Sequence, residues 1–213
     1  MLVIETMAFP PVEFMRELAH HDTVEIEQHE HYNKRSFRNR YDILGPNGAI
    51  PLVIPLRKGK NNGRLITEVL IADDTHWPPK HIHAIQSAYG RAPYFEDYFP
   101  FLRALFEDIP PTLFEFNVKA LSLVLRLAGI RIDLQRTKHF IPYNSNEFEV
   151  IKDYYTPNSI DKIPSNPYIQ VFSDRLPFVP GLCILDLLFN IGPETSLFLR
   201  TSRLIQARKD IAS

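Results

Sequence analysis

HEHYNKRSFRNRYDILGPNG, residues His29 to Gly48, followed by the apolar run AIPLVIPL, Ala49 to Leu56, decides how the rest of the chain is read. Two His, three Arg, one Lys, two Tyr and three Asn are concentrated in the first twenty of these residues. Gly45-Pro46-Asn47-Gly48 is a turn signal, because Gly and Asn tolerate the backbone angles that tight turns require. The runs Ser36–Leu44 and Ile50–Leu56 on either side therefore read as a β-hairpin. On a strand, residues two apart share a face. Arg38 and Arg40 fall on one face, and Phe37, Asn39 and Tyr41 on the other. A hairpin this polar on one wall marks a candidate site.

Upstream, Met1–Ile4 is a short apolar run and reads as a first strand. Pro10-Pro11 breaks it, and Val12, Phe14, Met15, Leu18 and Ala19 follow at helical spacing. Thr23–Gln28 alternates, with Val24 and Ile26 on one side and Glu25 and Glu27 on the other, the pattern of a half-buried strand with solvated carboxylates. Downstream, Arg57–Arg64 is a basic Gly/Asn-rich loop and Leu65–Ala72 a further strand. Residues 1–72 are thus mainly strands.

The texture changes at Asp73. Asp74 or Thr75 caps a helix that runs to Tyr89 and stops at Gly90. Tyr98–Glu107 is a second helix, and Leu113–Ala128, capped by Thr112, a third. Ile130–Gln135 alternates and reads as a strand returning to the sheet, so residues 73–135 are mainly helices. Residues 136–213 hold a long irregular connection (136–167), a strand at Ile169–Phe172, a helix at Leu182–Phe189, an interruption at Gly192-Pro193 and a last helix beginning near Glu194 in a segment that reaches Arg208. The expected fold is α/β in a single domain, 1–213: a mixed sheet from the N-terminal part, a helical layer, and C-terminal helices closing it.

Composition narrows the function classes. A formal net charge of −1 gives no global electrostatic case for nucleic acid or an anionic membrane. No window approaches the ~20 apolar residues of a membrane-spanning helix. The N-terminus lacks the basic and apolar regions of a signal peptide, so a cytoplasmic location is expected. One cysteine, Cys183, excludes a disulfide within the chain and reads as a buried small hydrophobe. Neither a dinucleotide fingerprint nor a phosphate-binding Gly-Lys loop is present, and no cofactor is expected.

His29 and His31 would share a face on an extended segment, but no metal-binding spacing recurs among the other imidazoles, and no metal is expected. His81 and His83 are two apart on a helix, which is the wrong spacing for one ion. Lys34, Arg38 and Arg40, with Asn and Tyr nearby, suit an anionic small ligand, a solvated basic face being the plainer alternative. Asp186 lies inside an apolar helix, where an unpaired carboxylate is costly. Arg40 or Arg38 is its expected partner.

Several islands resemble the WbqC-like protein family: AFPPVEFM (Ala8–Met15), IEQHEHYNKRSFRNR (Ile26–Arg40), Trp77 with Lys80 and His81, Ala88-Tyr89 with Pro93-Tyr94-Phe95, and IQVF (Ile169–Phe172) through ILDLLFNIGP (Ile184–Pro193). The resemblance implies a role in surface-polysaccharide (O-antigen) biosynthesis, with a glycine-type aminoacyl or acyl transfer to an amino sugar or nucleotide-sugar. Much of the family carries a His-Gln-Pro element where this chain reads Ile4-Glu5-Thr6. The matched positions imply Glu27, Gln28, Tyr32, Lys34, Asn39, Arg40, Trp77, His81, Tyr94 and Asp186 as site residues.

The resulting expectation is a small-molecule enzyme. Lys34, Arg38 and Arg40 hold an anionic donor or sugar diphosphate, with Lys80 beside them. His81 or His29 acts as base on the amine, and Trp77 or Tyr94 stacks on a sugar or nucleobase. Asp186, Trp77 and His81 are expected to face the His29–Gly48 stretch, with His31 and Arg35 pointing to solvent. The competing class is a non-catalytic ligand-binding or assembly protein that uses the same pocket without a base.

Overall fold

Leu2–Ile4 (β1) is completely buried, so both faces of this strand are covered. It is an inner strand of a parallel sheet with both faces covered, which explains a continuous apolar run rather than alternation. The computed structural model describes residues 1–145 and 147–201. Pro11 leads into helix α1 (Val12–Leu18), and the chain returns as β2 (Thr23–Ile26), parallel to β1. β5 (Asp133–Arg136) adds beyond β2, and β6 (Glu149–Ile151) adds on the other side of β1. The order is β5-β2-β1-β6, all parallel. The direction in which strands are added therefore reverses at the β1–β6 boundary.

The hairpin predicted around Gly45–Gly48 forms as β3 (Arg40–Gly45) and β4 (Gly48–Val53), in register from Arg40↔Val53 to Gly45↔Gly48. It is a separate two-stranded sheet, so the expected mixed sheet divides into one parallel and one antiparallel piece. Its first strand starts at Arg40, not Ser36, which removes Arg38 from the strand and from the face it was expected to share with Arg40.

Helices α2 (Trp77–Tyr89), α3 (Phe95–Glu107) and α4 (Leu113–Leu127) pack in succession. Thr112 caps α4 as expected, its hydroxyl accepting from the Glu115 N–H at 3.3 Å. The cap of α2 is His76 rather than Asp74 or Thr75, with Pro78 and Pro79 in the first turn. Helix α5 (Ile184–Ile191) is the hub: it touches α1, α3, α4, β3 and α6 (Thr195–Arg200). Cys183, just before α5, is buried as expected. The expected continuation of the last helix toward Arg208 lies outside the described residues.

Three local readings are corrected. Leu65–Ala72 is a 3-10 turn (Ile66–Glu68) flanked by single bridges, because Ile66 and Val69 recur at a spacing of three. Ile169–Phe172 is loop and turn, not strand. Within the region read as irregular, Glu149–Ile151 is strand β6; the open edge of β1 sets its conformation more than its own pattern does.

Candidate active site

The residue following each parallel strand is polar: Glu5 after β1, Glu27 after β2, Thr137 after β5, and Lys152 and Asp153 after β6. The register aligns Ile4 with both Ile26 and Ile151, and Ile26 with Arg136, so these residues leave the sheet side by side at its carboxyl edge. Ligands of open α/β sheets bind at that edge, where the strand order reverses. Here the reversal lies between Glu5 and Asp153, whose backbone N–H donates to Glu5 Oε2 at 2.9 Å.

Two buried cations organise the edge. Arg38, 1% exposed, donates to Glu30 through Nε (3.1 Å) and Nη2 (2.6 Å), reaches Glu5 with Nη2 (2.6 Å), and donates to Asp153 through Nη1 (2.9 Å). The Asn117 amide on α4 fixes its backbone, donating to the Arg38 carbonyl at 2.8 Å and to the Thr6 hydroxyl at 3.2 Å. Lys152 donates to Glu27 Oε2 (3.0 Å) and to the Ile141 carbonyl (2.6 Å). Glu27 also accepts from Thr137 Oγ1, from the backbone N–H groups of His29 and Ile141, and is itself fully buried, not solvated as expected for its strand face.

The carboxyls titrate apart. Burial pushes Glu5 up to about 8; Arg38 opposes this and Glu30 reinforces it. Glu30 is also raised by burial, with Arg38 opposing. For Glu27, burial acts upward, but hydrogen bonds from Ile141, His29, Thr137 and Lys152 prevail and hold it below its ordinary value. Burial likewise acts upward on Asp153, where the Tyr143 hydrogen bond and Arg38 prevail. Four carboxyls thus share two cations, and one carboxyl oxygen, Glu5 Oε1, has no hydrogen-bond partner among the described residues.

Of the residues singled out from sequence, Glu27, Gln28, His29 and Arg38 meet here. Gln28 donates to the Thr137 carbonyl at 2.7 Å, and a His29 ring nitrogen lies 3.2 Å from the same oxygen. Tyr32 and Asn39 form a neighbouring brace: the phenol donates to Asn39 Oδ1 (2.8 Å), whose amide donates to the Ile54 carbonyl (3.0 Å). Lys34 and Lys80 are exposed, as are His31 and Arg35. Arg40 pairs with Asp42 at 2.7 Å. Lys34, Arg38 and Arg40 therefore do not form an open anion cradle: three carboxyls occupy the Arg38 guanidinium, and Arg40 has its own partner.

His81 and Trp77 lie elsewhere, in an aromatic cluster with Phe106 and Tyr41. His81 is buried, with Nδ1 2.7 Å from the Tyr41 hydroxyl and a further hydrogen bond to the Val53 backbone. Burial pushes it down to about 4, so it is a neutral core imidazole at physiological pH. Tyr94 packs its ring on Gly192, where even a Cβ would approach to 2.5 Å.

Asp186 pairs with neither Arg38 nor Arg40. Its carboxylate accepts from the Tyr168 hydroxyl (2.6 Å) and the Gln170 amide (3.1 Å), and burial raises it to about 6. Neutral donors serve because Asp186 lies in the first turn of an apolar helix, and among the described residues no arginine pairs with its oxygens. Gln170, bonded to the Asp186 carboxylate, and Asn190, bonded to its backbone carbonyl, line a cavity of about 1020 Å³ together with His83 and Arg91; it shares no lining residue with the ionic centre. Asp186→Ala strips two donors of their acceptor and is expected to cost about 1–3 kcal/mol, read as a lowered midpoint in urea unfolding; an unchanged midpoint would contradict that role.

Glu5, Glu30, Thr137, Lys152 and Asp153 were not singled out from the sequence. The signal that could have found them is positional: each except Glu30 lies within two residues of the end of a short parallel strand.

Residues 6–157 match the model of the WbqC-like protein family. The uncharacterized protein Rv1507c of Mycobacterium tuberculosis (strain ATCC 25618 / H37Rv) is 24% identical over 198 residues, covering 81% of this chain and 85% of that protein. No solved structure matches the chain significantly. Spanning well over half of the chain and every charged residue of the ionic centre except Glu5, the family match makes this chain a member of the WbqC-like protein family.

Proposed function

We propose that the chain is an acyl- or aminoacyl-transferase of surface-polysaccharide biosynthesis, acting on the amino group of a sugar or nucleotide-sugar at the carboxyl edge of the parallel sheet. One observation carries this reading: a buried carboxyl at the point of strand-order reversal, Glu5, raised to about 8 and with one oxygen unclaimed. A base is most effective when its pKa lies near the working pH. Glu5 replaces His81 in that role, since His81 is enclosed in the aromatic core away from the sheet edge and burial makes it a weak base.

In the proposed reaction, Glu5 takes a proton from the substrate ammonium. The freed nitrogen lone pair attacks the donor carbonyl carbon and the C–N bond forms; the leaving group departs with the electron pair of the broken acyl bond, and the second nitrogen proton passes to that leaving group or to water, leaving the neutral amide. The surplus of carboxyls over cations favours an ammonium at this edge before transfer. Arg38 keeps Glu5 in place, and Asp153, one-third exposed in its side chain, marks the side from which a substrate approaches.

The test is product formation, by mass spectrometry, from UDP-linked amino sugars and aminoacyl thioesters or adenylates. Glu5→Gln preserves the shape of the protonated acid. It is expected to lower turnover by at least about a hundredfold while sugar binding stays near wild type. Full activity in Glu5→Gln removes Glu5 as the base. A second reading, a binding protein without chemistry, is favoured by the near-complete closure of the ionic centre, in which Glu5 is 1% exposed. It requires thermal stabilisation by the sugar with no product from any donor.

A further inference from the structure

The segment joining β5 to β6 leaves two of its aromatic rings in solvent beside the ionic centre. Phe140 is 47% and Tyr143 55% exposed. Among the described residues, Phe101 on α3 is the only other large aromatic ring with comparable exposure. Exposed apolar surface of this kind on a folded protein commonly marks an interaction site. Both rings are held in place. Each lies over the buried Lys152 ammonium, at 4.6 Å for Phe140 and 5.2 Å for Tyr143. The Tyr143 hydroxyl donates to Asp153 Oδ2 at 2.6 Å, and Ile141 between them is tied to Glu27 and Lys152.

We infer that Phe140 and Tyr143, with the Asp153 carboxylate, form a subsite for the pyranose ring of an amino sugar. A pyranose presents an apolar C–H face and a rim of hydroxyls. It fits an open aromatic face bordered by a hydrogen-bond acceptor. Rings fixed in advance lose little freedom on binding. The Asp153 carboxylate at the rim of the rings complements the sugar ammonium. The subsite rests on the proposed transferase reading only for the role of that sugar as acyl acceptor.

Free glucosamine is the probe, followed by saturation-transfer NMR and by calorimetric titration of the full chain. Saturation should pass to the sugar C–H protons. Phe140→Ala and Tyr143→Ala should each weaken binding about five- to tenfold. Phe140→Tyr should bind as wild type, and Phe101→Ala should change nothing. Phe140→Ala removes an exposed ring and should melt near wild type; Tyr143→Ala also removes the hydrogen bond to Asp153, so its binding is read at a temperature where the variant remains folded. Absence of saturation transfer, or wild-type affinity in both alanine variants, overturns the subsite. The two proposals separate cleanly: ring-dependent sugar binding with no product from any donor sinks the transferase reading alone, whereas product formation with dispensable rings sinks the subsite alone.

Discussion

Arg38→Met is expected to lower the unfolding temperature at pH 8 by roughly 6–20 °C. Arg38 is buried among Glu5, Glu30 and Asp153, and supplies every guanidinium contact those carboxyls make. Removing one partner of a buried ion cluster costs about 3–5 kcal/mol, since the charges left behind stay desolvated. In a chain of this length each kcal/mol moves the midpoint by about 2–4 °C. The cost does not measure how much the intact cluster stabilises the fold. Taking four ions out of water offsets most of their mutual attraction, so an apolar replacement of the whole set could be neutral. The pH dependence separates these ideas. Near pH 5 Glu5 is protonated, and the deficit of Arg38→Met should shrink. Adding Glu5→Gln should recover part of the loss at pH 8. Equal melting temperatures for wild type and Arg38→Met at pH 8 would show that the cluster does not hold the carboxyl edge together.

The contrast between Arg38 and His81 shows what the sequence can carry. The hairpin, α1, α4 and α5 were legible because each carries a local signal: a Gly-Pro-Asn-Gly turn between two runs, apolar residues at helical spacing, or an apolar run following a Pro-Gly turn. β6 was not, because three residues in a Pro- and Asn-punctuated segment have no period; its pairing partner β1 is about 145 residues away in the chain. The same limit applies to the site. Arg38 and Arg40 are two apart and were read as equals, yet the strand begins between them, burying one with carboxyls contributed by β1 and β6 and leaving the other with Asp42. His81 looked like a base because imidazole titrates near neutrality. Tyr41 of the hairpin and Phe106 of α3, both distant along the chain, surround it instead. Glu5 was noted only as a departure from a family element, although its place directly after a buried strand is what brings it to the sheet's carboxyl edge.

Glu5 also makes stability fall where the proposed activity should rise. Its folded pKa, about 8, lies above the unfolded value of 4.5. Between those values the native state binds a proton that the unfolded chain does not, so stability decreases as pH rises through the interval. Over the whole interval the loss is at most roughly 5 kcal/mol. Other groups overlap the lower part. Asp186, raised from 3.8 to about 6, acts with the same sign; His81, lowered from 6.5 to about 4, acts oppositely, because the unfolded chain binds the proton there. These two nearly offset each other. Glu27 and Asp153, both lowered, contribute stability that is lost only as pH falls below their ordinary range. The window from pH 6.5 to 8 is therefore left mainly to Glu5. Stability should decline there by about 2 kcal/mol, a fall of about 4–8 °C in the melting temperature. Glu5→Gln should remove most of that slope; a wild-type slope in the variant would place the titration on another group. If Glu5 is also the base, the rate should climb through the same window as the carboxyl ionises. One group would then set opposite slopes for stability and turnover, and both should be lost in Glu5→Gln.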